Sequence, residues 1–353
     1  MKVKLKDIAE FSKGNQINGS DLIDGAEYIY LNGGINPSGK WNDYNVEAGT
    51  ITISEGGNSC GYVNFINEPF WCGAHCYYLY NIDGNEKYLY YALKSQESRL
   101  MRLRSGACMP NIKKSDLGEF YFTYENDLKK QEDIVKKFDN VENCIFLLQE
   151  ELKKIELLIK SRFIEMFGDP VINPMNWKKT VLGKNAILLN GRAYKQEELL
   201  DSGKYPVLRV GNFFSNRGWY YSNLELEEDK YCDNGDLLYA WSASFGSQIW
   251  NGGKVIYHYH IWKLIVGEAY NKSFLCKLLN YVTESLMGKT HGIAMMHLTK
   301  SGMEKTQFIV PPIELQNQFV AFVQQVNKSE LAVKASLEKL ETLKKSLMQQ
   351  YFG

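Results

Sequence analysis

Several things are missing from this chain, and each absence closes off a class of function. No apolar run approaches the ~18 residues that a membrane-spanning helix needs. Met1-Lys2-Val3-Lys4-Leu5-Lys6-Asp7 offers no apolar core for a signal peptide. Gly252-Gly253-Lys254-Val255 lacks both the upstream glycine and the hydroxyl of a phosphate-binding P-loop, and no Gly-x-Gly-x-x-Gly fingerprint is present. There is no net charge either, since 41 Lys and Arg balance 41 Asp and Glu, which taken alone argues against a nucleic-acid binder. The seven cysteines are odd in number, scattered and without a C-x-x-C pair, so they read as reduced thiols rather than a disulfide framework. A cytoplasmic location is the expectation.

What is present suits a globular protein of two or three domains, with 353 residues of which 44% are apolar. The neutral total hides local imbalance. From Lys94 to Lys114 the chain holds Lys94, Arg99, Arg102, Arg104, Lys113 and Lys114 against Glu97 alone. From Lys272 to Lys305 there are five lysines and two histidines against Glu284 and Glu304. Such patches can track phosphates inside a neutral protein; charge alone fits a solvated helix face equally well.

The strongest pattern is a repeat. When Gln131 is laid on Gln316, Val135 falls on Val320, Leu152 on Leu337, Lys160-Ser161 on Lys345-Ser346, and Phe167-Gly168 on Phe352-Gly353, without a gap. Both copies carry apolar residues at alternating spacings of three and four, the signature of a coiled-coil-like seam. The first copy gives Val141, Ile145, Leu148, Leu152, Ile155, Ile159 and Phe163; the second gives Val326, Val333, Leu337, Leu340 and Leu347. About 40 helical residues make a rod ~60 Å long, and the partner for each seam is the other copy. Phe146, Leu147 and Leu157 flank the seam and are left for a second protein.

The globular parts repeat as well. Leu5 corresponds to Leu182, Gly14 to Gly191, Tyr28 to Tyr205 and Leu31 to Leu208; further on, Leu89 corresponds to Leu275, Lys114-Ser115 to Lys300-Ser301 and Phe122 to Phe308. Strands are expected at Tyr28–Leu31, Thr50–Ile53, Cys76–Tyr80 and Gly118–Thr123, and helical spacing runs from Tyr88 to Arg104. The middles diverge, with Ser54-Glu55-Gly56-Gly57-Asn58-Ser59 opposite Ala240-Trp241-Ser242-Ala243-Ser244-Phe245. Like ends around unlike middles suggest one scaffold presenting two surfaces. The expected order is a globule (1–127), a long helix (128–168), a linker and second globule (169–310), and a second long helix (311–353). Antiparallel rods would give the chain an internal pseudo-two-fold, with the globules near opposite ends of the stalk, as reading two half-sites on duplex DNA requires.

Taken together, these pieces resemble the specificity subunit of type I restriction–modification systems, over essentially the whole chain. The resemblance is carried by Leu5-Lys6-Asp7-Ile8, Gly292 to Ser301, Pro311-Pro312 with Glu314-Leu315-Gln316, and the Phe167-Gly168-Asp169-Pro170 to Asn173-Pro174 to Trp177 junction. The first junction departs from it, reading Tyr124-Glu125-Asn126-Asp127 without paired prolines, and there Asn126 or Asp127 is available as an N-cap. The resemblance implies an α+β chain of two similar target-recognition domains separated by two long helices packed as an antiparallel coiled coil. Each domain would read half of a bipartite, asymmetric site on double-stranded DNA, and the helix pair would set the spacer. Two methyltransferase subunits bringing S-adenosylmethionine, and ATP-driven restriction (translocase) subunits, would be the partners. The chain itself would have no catalysis, cofactor or metal. A subunit of a fused type II restriction–methylation enzyme is the near alternative, and an aromatic-rich glycan-binding protein, suggested by 23 Tyr and 7 Trp, the distant one.

No acid/base pair stands out in the sequence itself. Asn173-Pro174-Met175-Asn176-Trp177 lacks the second proline of an adenine-methyltransferase loop. Cys72, His75 and Cys76, with Cys60 upstream, allow a zinc reading, but their strand context favours buried thiols. His258 and His260 alternate on an expected aromatic strand and are read as packing or phosphate contacts. The residues proposed to meet DNA are Lys40, Trp41, Asn58, Ser59, Arg102, Arg104, Ser105, Lys113 and Lys114 in the first globule. In the second they are Arg217, Trp219, Ser242, Ser244, Lys289, His291 and Lys300. Arginine and asparagine suit base edges, and lysine suits the backbone.

Overall fold

The computed structural model describes residues 1–106, 110–215, 218–242, 244–288 and 299–353. It divides into two compact units, one comprising Met1–Glu151 with Val333–Gly353 and the other Leu152–Ala332. Among the described residues, no helix is long and apolar enough to cross a membrane.

The first unit runs β1 (Lys2–Lys4), α1 (Leu5–Ile8), β2 (Glu10–Lys13), β3 (Tyr28–Leu31), β4 (Gly39–Trp41), β5 (Thr50–Ser54), β6 (Val63–Ile66), β7 (Phe70–Cys72) and β8 (Cys76–Tyr80). Then come α2 (Glu86–Ser95), α3 (Glu97–Met101), α4 (Lys114–Gly118), β9 (Tyr121–Thr123) and the start of the long α5 (Leu128–Phe167), whose residues from Leu152 on belong to the second unit. An antiparallel sheet in the order β2-β8-β5-β6 sits beside a smaller β4-β3-β7 sheet in which β3 and β7 are parallel. β1 closes on β9, with Val3 opposite Phe122. β5 is buried along most of its length, from Ile51 to Ser54, because helix α2 lays Leu89, Ala92 and Leu93 against its sheet; a strand covered on both faces loses the usual alternation.

Two expectations need correction. Tyr88 to Arg104 is not one helix: the chain breaks at Gln96 (φ −103°, ψ 11°), whose side-chain amide donates to the Phe352 carbonyl at 2.9 Å. The closing strand begins at Tyr121 rather than Gly118, because α4 occupies Lys114–Gly118. Asp127 caps α5, its carboxylate accepting the Lys129 N–H at 3.0 Å.

The second unit repeats the plan with β10 (Lys179–Val181), β11 (Ala186–Asn190), β12 (Tyr205–Leu208), α6 (Val210–Phe214), β13 (Tyr220–Ser222), β14 (Tyr231–Cys232), β15 (Leu237–Ser242), β16 (Ser244–Ile249), β17 (Val255–Tyr257) and β18 (Ile261–Val266). It ends with α7 (Lys272–Gly288), α8 (Lys300–Lys305), β19 (Gln307–Ile309) and the start of α9 (Ile313–Phe352), whose residues from Val333 on belong to the first unit. Its sheets run β11-β18-β15-β16 and β13-β12-β17-β14, with β12 parallel to β17, and β10 closes on β19. The two-residue β14 matches a single bridge in the first unit, Val46 to Phe70.

Each unit contains an antiparallel helix pair. In the first, Phe138 of α5 lies 6.0 Å from Phe352 of α9, and Lys344 reaches Glu142 at 2.7 Å. In the second, Phe167 of α5 lies 5.6 Å from Phe319 of α9, and the Arg162 guanidinium sits over the Phe322 ring. The seam residues Val141, Ile155, Ile159, Phe163 and Val333 are buried, and Ile145, Leu148, Leu152, Val326, Leu337, Leu340 and Leu347 are half-buried. Phe146 (57%) and Leu157 (61%) remain exposed, as do Leu147, Leu158 and Leu331.

The repeat seen in the sequence is carried through into side-chain partners. Gln131, 1% exposed, accepts the Asn85 N–H ahead of α2 at 2.8 Å; Gln316, 0% exposed, accepts the Asn271 N–H ahead of α7 at 2.9 Å. Phe352 then packs on Tyr88 of α2 (5.3 Å), as Phe167 packs on Phe274 of α7 (4.9 Å). So each long helix begins on one globule's helix and ends on the other's. Gly168 ends α5 at φ +71°, its N–H bonded to the Ile164 carbonyl at 2.8 Å, a left-handed cap that favours glycine.

Candidate nucleic-acid interface

In both units the candidate surface is the set of turns at one end of the two sheets, held by matching main-chain bonds. The Gly73 N–H bonds to the Leu31 carbonyl and the His258 N–H to the Leu208 carbonyl, both at 2.9 Å. The Glu55 N–H bonds to the His75 carbonyl at 2.9 Å, and the Trp241 N–H to the His260 carbonyl at 3.1 Å. Gly14 and Gly191 lie where the chain crosses these turns. A Cβ on Gly14 would stand 1.8 Å from the Cys72 carbonyl oxygen, and one on Gly191 would stand 2.4 Å from that of His258. On this shared frame Glu55 therefore corresponds to Trp241, His75 to His260, and Gly73 to His258.

The first unit's tip is charged. Glu55, 9% exposed, has one carboxylate oxygen paired with Lys13 and the other 3.3 Å from His75 Nδ1. Its carbonyl accepts the Ile112 N–H at 2.8 Å, and its neighbour Gly56 bridges to Asn111, which pairs in turn with Ser105. The Lys13 ammonium lies over the Tyr77 ring, Tyr77 meets Phe11 edge-on, and the Lys114 ammonium lies over Phe11. Burial, with Glu55 nearby, pushes the Tyr77 phenol up to about 12, so it stays neutral and donates to the Ile112 carbonyl at 3.0 Å.

The proposed residues of this unit fall into two places. Asn58, Arg104, Ser105, Lys113 and Lys114 lie on or next to segments joined by main-chain bonds to the Glu55 stretch, through Ile112 to Glu55, Asn111 to Gly56 and Ser105, and Gly57 to Pro110, and Arg102 is exposed close by in sequence. Arg104 is near enough to Cys60 to oppose the upward push that burial gives that thiol. Ser59 is committed to the fold, donating to the Gly33 carbonyl at 2.7 Å. Lys40 and Trp41 stand on β4 instead, with Trp41 against Trp71. Cys60, Cys72 and Cys76 are buried, and the hydrogen bond with Cys76 together with burial pushes the Cys72 thiol up.

The second unit's tip is aromatic. His258, Tyr259 and His260 occupy a tight turn between β17 and β18, not a strand, and their two imidazoles approach to 4.8 Å. Trp241 stands edge-on to His260 at 5.0 Å, and Tyr259, 39% exposed, lies 3.9 Å from His260. Burial, then His260 and Arg209, push the His258 imidazole down to about 4. Ser242 and Ser244 stand opposite each other at the ends of β15 and β16, which stay in register throughout. Trp219 is half-buried against Trp250, and Lys300 faces Glu304 on α8 at 3.8 Å. Arg217, Lys289 and His291 lie outside the described residues.

Lys13, Glu55 and Tyr259 are not among the candidates that the sequence offers, and His75 enters there only as a metal ligand. The available signal was a lone carboxylate in the glycine-rich Ser54–Ser59 stretch at the point where the two halves diverge.

The family model of the type I restriction modification DNA specificity domain matches this chain twice, over residues 1–157 and 174–342. The chain belongs to that family. A putative type I specificity subunit of Mycoplasma pneumoniae is 30% identical over 222 residues, covering 60% of this chain and 59% of the relative. Another, from Mycoplasma genitalium, is 29% identical over 221 residues, covering 57% and 56%. The alignments thus span somewhat over half of these relatives' lengths. Among solved structures, the S subunit of a type I restriction-modification system from M. genitalium matches 100% of this chain and 96% of its own, with a TM-score of 0.65 at 20% identity. That likeness extends the family's fold over both specificity domains and both long helices.

Proposed function

We propose that this chain is the DNA sequence-specificity subunit of a type I restriction–modification complex, each unit reading one half of a bipartite, asymmetric site. One observation carries the reading: the two units hold their tips by matching main-chain bonds, Gly73 to Leu31 as His258 to Leu208 and Glu55 to His75 as Trp241 to His260, yet present a charged tip in one and an aromatic tip in the other. A protein reading two unlike half-sites needs this. The long helices would set the spacer, and Phe146, Leu147, Leu157 and Leu331, exposed along them, suit docking of two methyltransferase subunits and of restriction subunits. S-adenosylmethionine and ATP would belong to those partners, and this chain would select the site without performing chemistry on it. Acting on cellular DNA, it would work in the cytoplasm.

The test is to co-express the chain with its methyltransferase partner in a methylation-free host and sequence the methylated adenines. A bipartite motif that vanishes when this chain is omitted is the expected result, and exchanging residues 1–127 should change only one half of it. No chain-dependent motif from a folded complex would sink the reading.

A further inference from the structure

At the tip of the first unit a carboxylate stands where a DNA-reading surface should avoid one. Phosphates repel it, and a protein under selection for affinity alone would not retain it beside the segments that carry Arg104, Lys113 and Lys114. Glu55 nonetheless is nearly buried, fixed by main-chain bonds on both its N–H and its carbonyl, and both its oxygens are taken by side chains that remain in solvent. The Lys13 side chain is 40% exposed and that of His75 is 64% exposed. The carboxylate is thus the inner member of a group whose outer members face outward. On the shared frame Trp241 occupies its place in the second unit.

We infer that Lys13 and His75 contact base edges in the half-site read by the first unit, and that Glu55 is the residue that positions them. Lys13 is a donor that can meet the N7 and O6 acceptors of a guanine in the major groove. His75, bonded through Nδ1 to Glu55, has its ring orientation fixed and turns Nε2 to the groove, since the partner of one ring nitrogen sets the role of the other. Two heads held by one buried carboxylate keep a fixed separation, which a base edge can match and a run of phosphates does not require. The inference rests on the reading of the chain as a specificity subunit.

The experiment selects bound sequences from a randomised duplex library with the full chain in its methyltransferase complex, comparing wild type, Glu55→Gln and His75→Gln. Glu55→Gln is expected to lose about tenfold or more of its preference at one or two adjacent positions of one half-site. Affinity for unrelated duplex should stay level or rise, because a negative charge has been removed, and the other half-site should be unchanged. His75→Gln, altering an exposed ring, should disturb the same positions and decides the matter if Glu55→Gln does not fold. If both folded variants select the wild-type motif, or if preference falls equally across both halves, the assignment is wrong. If the wild-type complex selects no bipartite motif at all, the failure lies in the specificity reading itself.

Discussion

The two units differ least in main-chain bonding and most in what stands at the end of β5 and β15. After Ser54 the first unit opens into a loop that runs from Glu55 to Tyr62 before β6; in the second, β16 begins at Ser244, opposite the last residue of β15, Ser242. Yet the residue in the shared corner makes the same bond, Glu55 N–H to His75 and Trp241 N–H to His260. A backbone bond is indifferent to the side chain that hangs from it. The corner can therefore hold a carboxylate in one unit and an indole in the other while both frames stand. Substitutions at matched positions show how far that equivalence goes.

The largest effect is expected where each long helix ends. Phe352→Ala should cost the first unit about 3–5 kcal/mol, because its ring fills the space between Tyr88 and Phe138. Phe167→Ala should cost the second unit a similar amount, since Phe163, Phe274 and Phe319 all pack on it. Hydrogen exchange resolved by peptide should show reduced protection in the matching unit. A large effect in one variant and none in the other would break the equivalence of the two helix ends.

Next come the crossing glycines. Gly14→Ala and Gly191→Ala each force a Cβ into backbone carbonyls, at 1.8 Å and 2.4 Å, and overpacking of this kind costs roughly 1–3 kcal/mol, occasionally more. Both should lower the melting temperature, Gly14→Ala by more. Equal or absent shifts would mean that the turns yield freely and do not define the tips.

Much of this frame could be read from the chain. The strands Tyr28–Leu31 and Cys76–Tyr80 are legible because β-branched and aromatic runs lie between turn residues, and the seam is legible because its period survives many turns. Gln131 and Gln316 mark the repeat, being buried amides that each satisfy a main-chain N–H. What could not be read depends on long-range placement. The break at Gln96 answers to Phe352, far away in sequence. The pairing of Lys13, Glu55 and His75 is made by β2, β5 and β8 meeting side by side, which no local pattern encodes. The turn at His258–His260 looks like a strand because its residues are aromatic, whereas its geometry is set by bonds to Arg192 and Leu208.

A smaller effect is expected from surface charge on the first tip. Replacing Arg102 and Arg104 with alanine should weaken DNA binding by the complex. It should also flatten the dependence on salt, by up to about 0.9 in log–log slope for each phosphate no longer neutralised. An unaltered salt slope would remove this patch from the interface.

The smallest effect separates the units by acid. His258 lies in the second unit at the place taken by Gly73 in the first, and burial beside His260 and Arg209 holds it neutral down to about pH 4. An unfolded chain takes up that proton near the ordinary value of about 6.5. Above that pH neither state is protonated and the second unit keeps its full stability. As pH falls toward 4 the unfolded state gains the proton first, and stability drains away. The loss is on the order of 1 kcal/mol, because water reaching the ring screens part of the full shift. His258→Gln should remove this loss, so wild type and variant would converge in melting temperature near pH 5 relative to their difference at pH 7.5. Parallel profiles across that range would mean that the imidazole is open to water, and that the aromatic tip is less closed than the turn around Tyr259 implies.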